Sequence, residues 1–286
     1  MTTVGRLKEN VVRAGLWGAS SRPVRFLTAA TGLQGRFHEL YWRRQFERHD
    51  GTCTRAVNGV EVVFHAGTPD EFRHCKTLMD EGDVLEDVVA HVEPDDVFFD
   101  VGAYLGVYTC FVCASHPSVR TVAFEPDPNR QALLHRNVEE NDLDAEIHEY
   151  VLSDAPGTAS FATSGEGGPN VSHVATGEHD GTIEVEQATV DDLVERGEVP
   201  PPNVVKVDVE GGEFDALSGM RETLGREECR VVYCEVHPTL LPSYGATEEG
   251  IVSLLAERGF AVERIGERGH EFHLRATKAP ESGGSA

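Results

Sequence analysis

The sequence predicts an α/β fold in which a mostly parallel sheet is covered by helices on both faces. From about residue 97 onward, short apolar segments alternate with segments of helical periodicity, which is the pattern of repeated βα units. Residues 97–101 (VFFDV) form an apolar run typical of a parallel strand buried on both sides. The length of 286 residues fits one large α/β domain with an extension.

The elements follow one another in a regular order. Residues 1–50 and the stretch up to residue 91 have helical patterns, and Asn58-Gly59 between alternating segments predicts a β-hairpin. The predicted strands are 97–101, 121–124, 146–152, 204–209 and 230–236, and the predicted helices are 106–114, 128–141, 190–195, 214–224 and 248–258. An irregular β excursion (161–187) and a final antiparallel pair (260–265, 271–276) complete the pattern. We therefore divide the chain into an N-terminal helical extension with a hairpin (1–82), a main domain (83–278) and a disordered tail (279–286).

The charge balance is strongly acidic. The formal net charge is −24, and only four of the 25 basic residues are lysines. This composition is typical of proteins from salt-loving archaea, where salt screens the self-repulsion. It argues against a nucleic-acid partner, which usually requires a basic face.

The chain carries no predicted membrane span, because no run of 18 apolar residues occurs. Since the N-terminus also lacks the apolar core of a signal peptide, we expect a cytoplasmic protein. Residues 1–50 are locally basic and aromatic. We interpret them as a packing extension, with a peripheral contact to a membrane surface or an anionic substrate as the alternative.

Six cysteines are present, and Cys110 and Cys113 form a C-x-x-C motif. The motif lies within a predicted helix, and no second pair has zinc-site spacing. We therefore expect reduced, buried thiols without a metal or redox role.

The segment from Asp100 to Gly106 follows a strand and opens a helix. Its glycines have the spacing G-x-x-x-G, whereas a dinucleotide fold requires G-x-G-x-x-G, so a nicotinamide-dependent oxidoreductase is disfavoured. A carboxylate at Asp100 suits the ammonium group of an amino acid, and Glu125 after the next strand can accept hydrogen bonds from both ribose hydroxyls. A ligand that combines a nucleoside with an amino acid and carries no phosphate is S-adenosylmethionine.

At these residues the chain resembles the FkbM-type methyltransferases. The resemblance runs from about residue 83 to 237 through the motifs FFDVGAYLGVYT, VAFEPDPNRQALLHRNVEEN, VLSDAPGTASF, TVDDLV, VVKVDVEGGEFDAL and YCEVHP. It implies a Rossmann-like class I methyltransferase fold, with a seven-stranded sheet whose last strand is antiparallel, and O-methylation of sugars or related products. It also implies a cofactor site formed by Asp100, Gly102, Ala103, Tyr104, Gly106, Glu125, Pro126, Ser153, Asp154 and Asp208. In this site Ser153 and Asp154 are expected near the adenine, and Asp208 at the far edge of the site. Tyr104 departs from the family, which commonly has Asn there.

Methyl transfer to a hydroxyl requires a proton acceptor beside the acceptor oxygen. Two strand ends that meet at one edge of the sheet provide the catalytic candidates Lys206, Asp208, Glu210, Glu235 and His237. We predict His237 as the general base, because its ordinary pKa of about 6.5 suits proton uptake near neutrality. The alternatives are a structural strand-end histidine, a Lys206–Asp208 ion pair, and acids that favour a helix start. A hard cation such as Mg²⁺ on Asp208, Glu210 and Glu235 is a further alternative, but nothing in the sequence indicates it and we predict no metal.

The functional hypothesis is therefore an S-adenosylmethionine-dependent O-methyltransferase acting on a hydroxyl, or a carboxylate, of a glycan or small metabolite. A methyltransferase acting on RNA or protein is an alternative that would require a basic groove or a recognition domain. A catalytically idle module that binds the cofactor is the alternative from a different class, since its cofactor-site residues would look the same.

Overall fold

The computed structural model describes residues 33–163, 173–174 and 182–279. The chain separates into two compact units. One contains the described residues up to Arg55 and Phe64–Met79, and the other contains Ala56–Val63 and the described residues from Asp80 onward. Most of the predicted tail and the first 32 residues lie outside the described residues.

The first unit contains two helices, α1 (Leu33–His49) and α2 (Pro69–Thr77). Helix α2 begins at a capping box, in which the Thr68 hydroxyl accepts from the Glu71 amide and the Glu71 carboxylate accepts from the Thr68 amide. Phe72 packs edge-on against Phe46, with ring centroids 6.3 Å apart. The helical prediction is thus confirmed over Leu33–His49.

The predicted hairpin is present. Strands β1 (Thr52–Val57) and β2 (Val60–His65) form a two-stranded sheet. The turn residues Asn58 (φ 50°) and Gly59 (φ 83°) both have positive φ, as a tight two-residue hairpin turn requires.

The second unit alternates strands and helices along the chain. Its helices are α3 (Gly82–His91), α4 (Val107–Ser115), α5 (Pro128–Glu140), α6 (Val190–Glu195), α7 (Glu213–Ser218), α8 (Arg221–Gly225) and α9 (Glu248–Glu257). Its strands are β3 (Val97–Val101), β4 (Arg120–Phe124), β5 (Glu146–His148), β6 (Val151–Leu152), β7 (Gly157–Ala162), β8 (His173–Val174), β9 (Thr182–Ala188), β10 (Val204–Val207), β11 (Val231–Val236), β12 (Phe260–Arg268) and β13 (Glu271–Lys278).

Seven of these strands form the central sheet, in the order β12-β13-β11-β10-β3-β4-β5. Strands β11, β10, β3, β4 and β5 pair in parallel, and β13 pairs antiparallel with β11 and β12. This order confirms the Rossmann-like fold with an antiparallel last strand. The chain leaves β3 towards β4 and returns through β10 on the other side of β3, so the carboxyl ends of β3 and β10 form the crevice where such sheets bind ligands.

The central strands are buried as their apolar sequences predict. Phe98, Phe99, Val204, Val205 and Val232 are completely inaccessible to solvent. Burial of both faces explains why these strands read as continuous apolar runs rather than alternating ones. All six cysteines are buried and free of disulfide bonds, as predicted. None of the described helices has the length and apolar character needed to cross a membrane.

Two predicted elements are interrupted in the structure. The strand predicted over 146–152 splits into β5, which pairs with β4, and β6, which pairs with β9 in a separate four-stranded sheet β6-β9-β7-β8. The helix predicted over 214–224 splits into α7 and α8 around Gly219. A Cβ at Gly219 would lie 1.8 Å from the Ser153 carbonyl oxygen, so the backbones touch at this break.

Candidate active site

The loop after β3 is held against β4 by its own amides. The N–H groups of Gly102 and Ala103 both donate to the Phe124 carbonyl at 3.0 Å, and the Gly106 amide donates to the Ala103 carbonyl at 2.8 Å. Gly106 immediately precedes α4 and has a φ of 80°. The amides of Gly102 and Ala103 therefore shape the loop rather than point at a ligand.

Gly102 also brings this loop into contact with the end of β10. Its φ is +78°, and a Cβ there would lie 1.8 Å from the carbonyl oxygen of Asp208. Only glycine fits such a close backbone approach at this φ. The loop after β3 and the segment after β10 thus touch in the crevice between the two strands.

Glu125 lies at the end of β4 with its carboxylate turned towards the same loop. Its side chain accepts hydrogen bonds from the amides of Tyr104 (2.7 Å) and Asp127 (2.9 Å), one on each oxygen. Burial raises the pKa of Glu125 to about 7 against the lowering effect of these amides and of Arg130. Each carboxylate oxygen keeps a second lone pair, so Glu125 can still accept from ribose hydroxyls.

Tyr104 lies in the loop after β3 and has an unusual backbone conformation. Its φ of 54° is unusual for a tyrosine, and the guanidinium of Arg130 lies 4.2 Å from the centre of its ring. The half-buried Pro126 follows Glu125, and the Asp127 side chain caps α5 by accepting from the Asn129 amide at 2.9 Å.

Asp100 has partners within the protein. Its Oδ2 accepts from the hydroxyl (2.6 Å) and the amide (3.0 Å) of Thr109, and its Oδ1 lies 3.6 Å from Lys206 Nζ. Cross-strand registry explains the second contact, because Asp100 and Lys206 are directly opposite in β3 and β10. Asp100 is completely buried, and its Oδ1 makes no hydrogen bond with the described residues. Its predicted contact with the ammonium group of the cofactor stays a prediction.

Ser153 and Asp154 follow β6. The Ser153 amide donates to the Ala188 carbonyl at 2.9 Å, and its hydroxyl lies 3.4 Å from the exposed Asp154 carboxylate. The predicted contact of these two residues with an adenine ring stays a prediction.

A second group of polar side chains, here called the acidic triad, consists of Asp208, Glu210 and His237. The Nε2 atom of His237 lies 3.3 Å from Glu210 Oε2 and 3.9 Å from Asp208 Oδ1. The histidine is only 1% exposed, whereas the side chains of Asp208 and Glu210 are 25% and 28% exposed. Solvent, or a substrate, therefore reaches the triad from the carboxylate side.

Glu213 contacts the other ring nitrogen of His237, on the side away from Asp208 and Glu210. It is completely buried in the first turn of α7, and its Oε1 lies 2.6 Å from Nδ1 of His237. The same oxygen accepts from the Gly211 amide at 2.8 Å. A carboxylate on Nδ1 holds the imidazole with Nε2 directed at the other two acids.

The pKa values of the triad depart from the ordinary ones. Burial lowers the pKa of His237, but its hydrogen bond to the Glu213 carboxylate and the charges of Asp208 and Glu210 outweigh it and raise that pKa to about 10. Burial also opposes ionisation of Asp208, yet Lys206 and His237 hold its pKa well below the usual range. The argument from an ordinary histidine pKa therefore does not describe this site, and the role of His237 as a general base stays a prediction.

Lys206 and Glu235 lie beside the triad with other partners. Lys206 Nζ is 3.3 Å from Asp208 Oδ2, so the predicted ion pair between these two residues is present. Glu235 is bound by Arg268 at 2.8 Å, and Arg268 also contacts Glu81 at 2.9 Å. Burial, together with Asp208 and Glu81, raises the pKa of Glu235 to about 9. Glu235 thus belongs to a neighbouring ionic cluster and does not join Asp208 and Glu210.

Several residues of the site have no sequence signal that identifies them. Glu81 and Arg268 are distant in the chain from Glu235, and Arg130 and Thr109 look like ordinary helix residues. Glu213 is the exception in part, because its position at a predicted helix start marks it as an acid of the first turn, although not as a buried one.

Comparison with known proteins identifies relatives over this part of the chain. The model of the methyltransferase FkbM domain matches residues 100–262, which include both the loop after β3 and the acidic triad. Hexuronic acid methyltransferase AglP of Haloferax volcanii is 32% identical over 207 residues, covering 72% of this chain and 81% of the relative.

Two further relatives are more distant. The 31-O-demethyl-FK506 methyltransferase FkbM of Streptomyces tacrolimicus is 29% identical and covers 73% of this chain and 88% of the relative. The 2-O-methyltransferase NoeI of Sinorhizobium fredii is 27% identical and covers 50% of this chain and 64% of the relative.

Proposed function

Because the chain belongs to the FkbM methyltransferase family, we propose that it transfers a methyl group from S-adenosylmethionine to an oxygen atom of a sugar. The family implies this methyl donor. The observation that carries the proposal is the contact between Gly102 and the Asp208 backbone, which brings the loop after β3 beside the acidic triad. A donor on one side of this contact and an acceptor on the other would lie close enough to react.

The residues around the loop fit the donor. Glu125 is a buried carboxylate with free lone pairs at the end of β4, and the loop after β3 approaches β10 without a side chain at Gly102. When bound, S-adenosylmethionine supplies a methyl group on a positively charged sulfur. Glu125 would hold the ribose hydroxyls, and the adenine contacts of Ser153 and Asp154 are part of the same proposal.

The acidic triad fits a hydroxylated acceptor. The partly exposed carboxylates of Asp208 and Glu210 can accept hydrogen bonds from sugar hydroxyls, and either can receive the proton that the attacking hydroxyl loses. Lys206 holds one oxygen of Asp208 at 3.3 Å and so orients this carboxylate. The side chains of Asp208 and Glu210 are 25% and 28% exposed, so both carboxylates are accessible as proton acceptors.

A sugar carboxylate is the second candidate acceptor. The name of the relative at 32% identity specifies a hexuronic acid, whose carboxylate would need no general base. Repulsion from Asp208 and Glu210 opposes it, whereas a neighbouring positive charge would favour it. The two candidates differ in the chemistry of the product, because one gives an ether and the other an ester.

An assay with methyl-tritiated donor distinguishes these acceptors. Folded protein in molar KCl would be incubated with neutral oligosaccharides, uronic-acid oligosaccharides, RNA and an unrelated protein. We expect label in a saccharide, and mild alkali would release it from an ester but not from an ether. Asp208→Asn should lower the rate, whereas Glu249→Gln, an exposed acid outside the site, should not. Transfer only to RNA or protein, or no transfer by protein that binds the donor, would refute the sugar proposal.

A further inference from the structure

The His237 imidazole has a buried nitrogen atom that its surroundings do not satisfy. Its Nε2 is inaccessible to solvent and makes no hydrogen bond with the residues that the structure describes. It nevertheless points towards Glu210 Oε2 at 3.3 Å and Asp208 Oδ1 at 3.9 Å. A buried polar atom without a hydrogen bond is costly, so its retention in this position requires an explanation.

The three ligand atoms have the spacing of a metal site. One oxygen of each carboxylate and one nitrogen of His237 lie within 4.8 Å of one another. Neighbouring ligands of an octahedral ion with bonds of about 2.1 Å are separated by about 3.0 Å. The separations of 3.3 Å and 3.9 Å from Nε2 therefore need only side-chain adjustments to reach it. We propose that Asp208, Glu210 and His237 bind a divalent first-row transition-metal ion.

The partners of the triad favour this site. Glu213 contacts Nδ1 at 2.6 Å, which fixes the imidazole ring with Nε2 facing the carboxylates. A carboxylate behind a ligating histidine is the usual outer partner in metal sites. Lys206 engages Oδ2 of Asp208 and leaves Oδ1 on the side of the histidine.

The backbone around Glu210 is held in an unusual conformation. Glu210 has a φ of +52°, which is uncommon for a residue with a long side chain. Strained residues of this kind concentrate at functional sites, where the surrounding structure enforces them. In this conformation the Glu210 carboxylate lies 3.3 Å from His237 Nε2.

Two other groups with ligand-type atoms are less suitable. Glu81, Glu235 and His273 lie close together, as do Glu235, His237 and Glu271. In both groups the carboxylates already bind Arg268, at distances from 2.7 to 2.9 Å. A cation would have to displace this guanidinium, whereas the acidic triad contains no arginine.

The donor set indicates the class of ion. Carboxylates suit Mg²⁺ and Mn²⁺, but an imidazole nitrogen favours a transition metal over Mg²⁺. The two partly exposed carboxylates leave room for further ligands on the open side of the triad. On the proposed function, an acceptor oxygen would bind there, and the ion would hold it and lower the pKa of a hydroxyl. The binding itself does not depend on that function.

Manganese provides the direct test, because Mn²⁺ is detected by electron paramagnetic resonance. The full chain would be stripped with EDTA, kept in molar KCl and titrated with Mn²⁺ alone. We expect one tightly held ion per chain, and pulsed measurements should detect a nitrogen coupling that changes when histidine is labelled with nitrogen-15. Glu210→Gln should weaken binding at least about tenfold, and Glu213→Gln about tenfold to hundredfold through misorientation of His237.

Glu249→Gln is the control for the loss of one negative charge, and it should bind Mn²⁺ like the wild type. Thermal unfolding of each variant establishes that it is folded. Equal binding by Glu210→Gln and Glu249→Gln, or bound Mn²⁺ without nitrogen coupling, would overturn the proposal. The triad would then be an ionic cluster with a protonated histidine. Since neither methyl donor nor acceptor is present, this failure is independent of the methyl-transfer assay.

Discussion

Replacement of Gly102 by alanine tests how tightly the loop after β3 packs against β10. The φ of +78° costs an alanine roughly 1–2 kcal/mol. The added Cβ would also lie 1.8 Å from the Asp208 carbonyl oxygen, whereas real Cβ contacts start near 3.0 Å, so the two backbones must separate by at least 1.2 Å. Overpacking of this kind adds about 1–3 kcal/mol. We therefore expect Gly102→Ala to lower the free energy of unfolding by about 2–5 kcal/mol.

Gly259→Ala is the matched control. Gly259 has a φ of +89° and nothing within 4 Å of the position of a Cβ, so only the conformational cost remains. In molar KCl both variants should unfold at a lower temperature than the wild type, by about 2–4 °C for each kcal/mol of stability that is lost. Calorimetric titration of S-adenosylhomocysteine should show weaker binding for Gly102→Ala alone, because only that change displaces the loop. Equal destabilisation by the two substitutions, with unchanged binding, would refute the close contact.

Three further predictions concern charge. If the ribose hydroxyls donate to ionised Glu125 as proposed, the dissociation constant of S-adenosylhomocysteine should be constant above about pH 7, where the carboxylate is charged, and should rise by up to about tenfold per pH unit below it. Glu125→Gln should abolish this dependence, and a pH-independent wild type would contradict it. The net charge of −24 predicts that the unfolding temperature rises as KCl is increased from about 0.1 to about 2 M, whereas sucrose of equal osmolality should raise it less. Equal effects of KCl and sucrose would exclude charge screening as the cause of the stabilisation. A double-mutant cycle on Tyr104→Asn and Arg130→Ala should give a coupling free energy of about 0.5–1 kcal/mol in urea unfolding, because the Arg130 guanidinium lies 4.2 Å from the centre of the Tyr104 ring. Strict additivity of the two substitutions would mean that this contact contributes nothing to stability.

Most of the fold follows from local patterns in the sequence. The central strands are recognisable because burial on both faces demands uninterrupted apolar residues, as at Phe98 and Phe99. The break between β5 and β6 is not recognisable, because it depends on which strand each half pairs with. The break at Gly219 likewise depends on the Ser153 carbonyl, which is distant in the chain.

The position of the candidate site was predictable, but its internal contacts were not. Strand ends of a parallel sheet meet at one edge, so the proximity of Asp208 and His237 follows from topology. The partner of each carboxylate depends on side-chain packing. Asp100 turns inward to Thr109, and Glu235 is bound by Arg268, which comes 33 residues later. The pKa of His237 could not be anticipated without Glu213 at its other nitrogen.

Binding of the methyl donor tests the central claim most directly. S-adenosylmethionine, S-adenosylhomocysteine and NADH would each be titrated calorimetrically into folded protein in molar KCl, with Glu125→Ala as the site variant. The account predicts that both sulfur nucleosides bind to the wild type, that Glu125→Ala loses this binding, and that NADH does not bind. Folded wild-type protein that binds neither sulfur nucleoside, or binds them equally well without the Glu125 carboxylate, would contradict it.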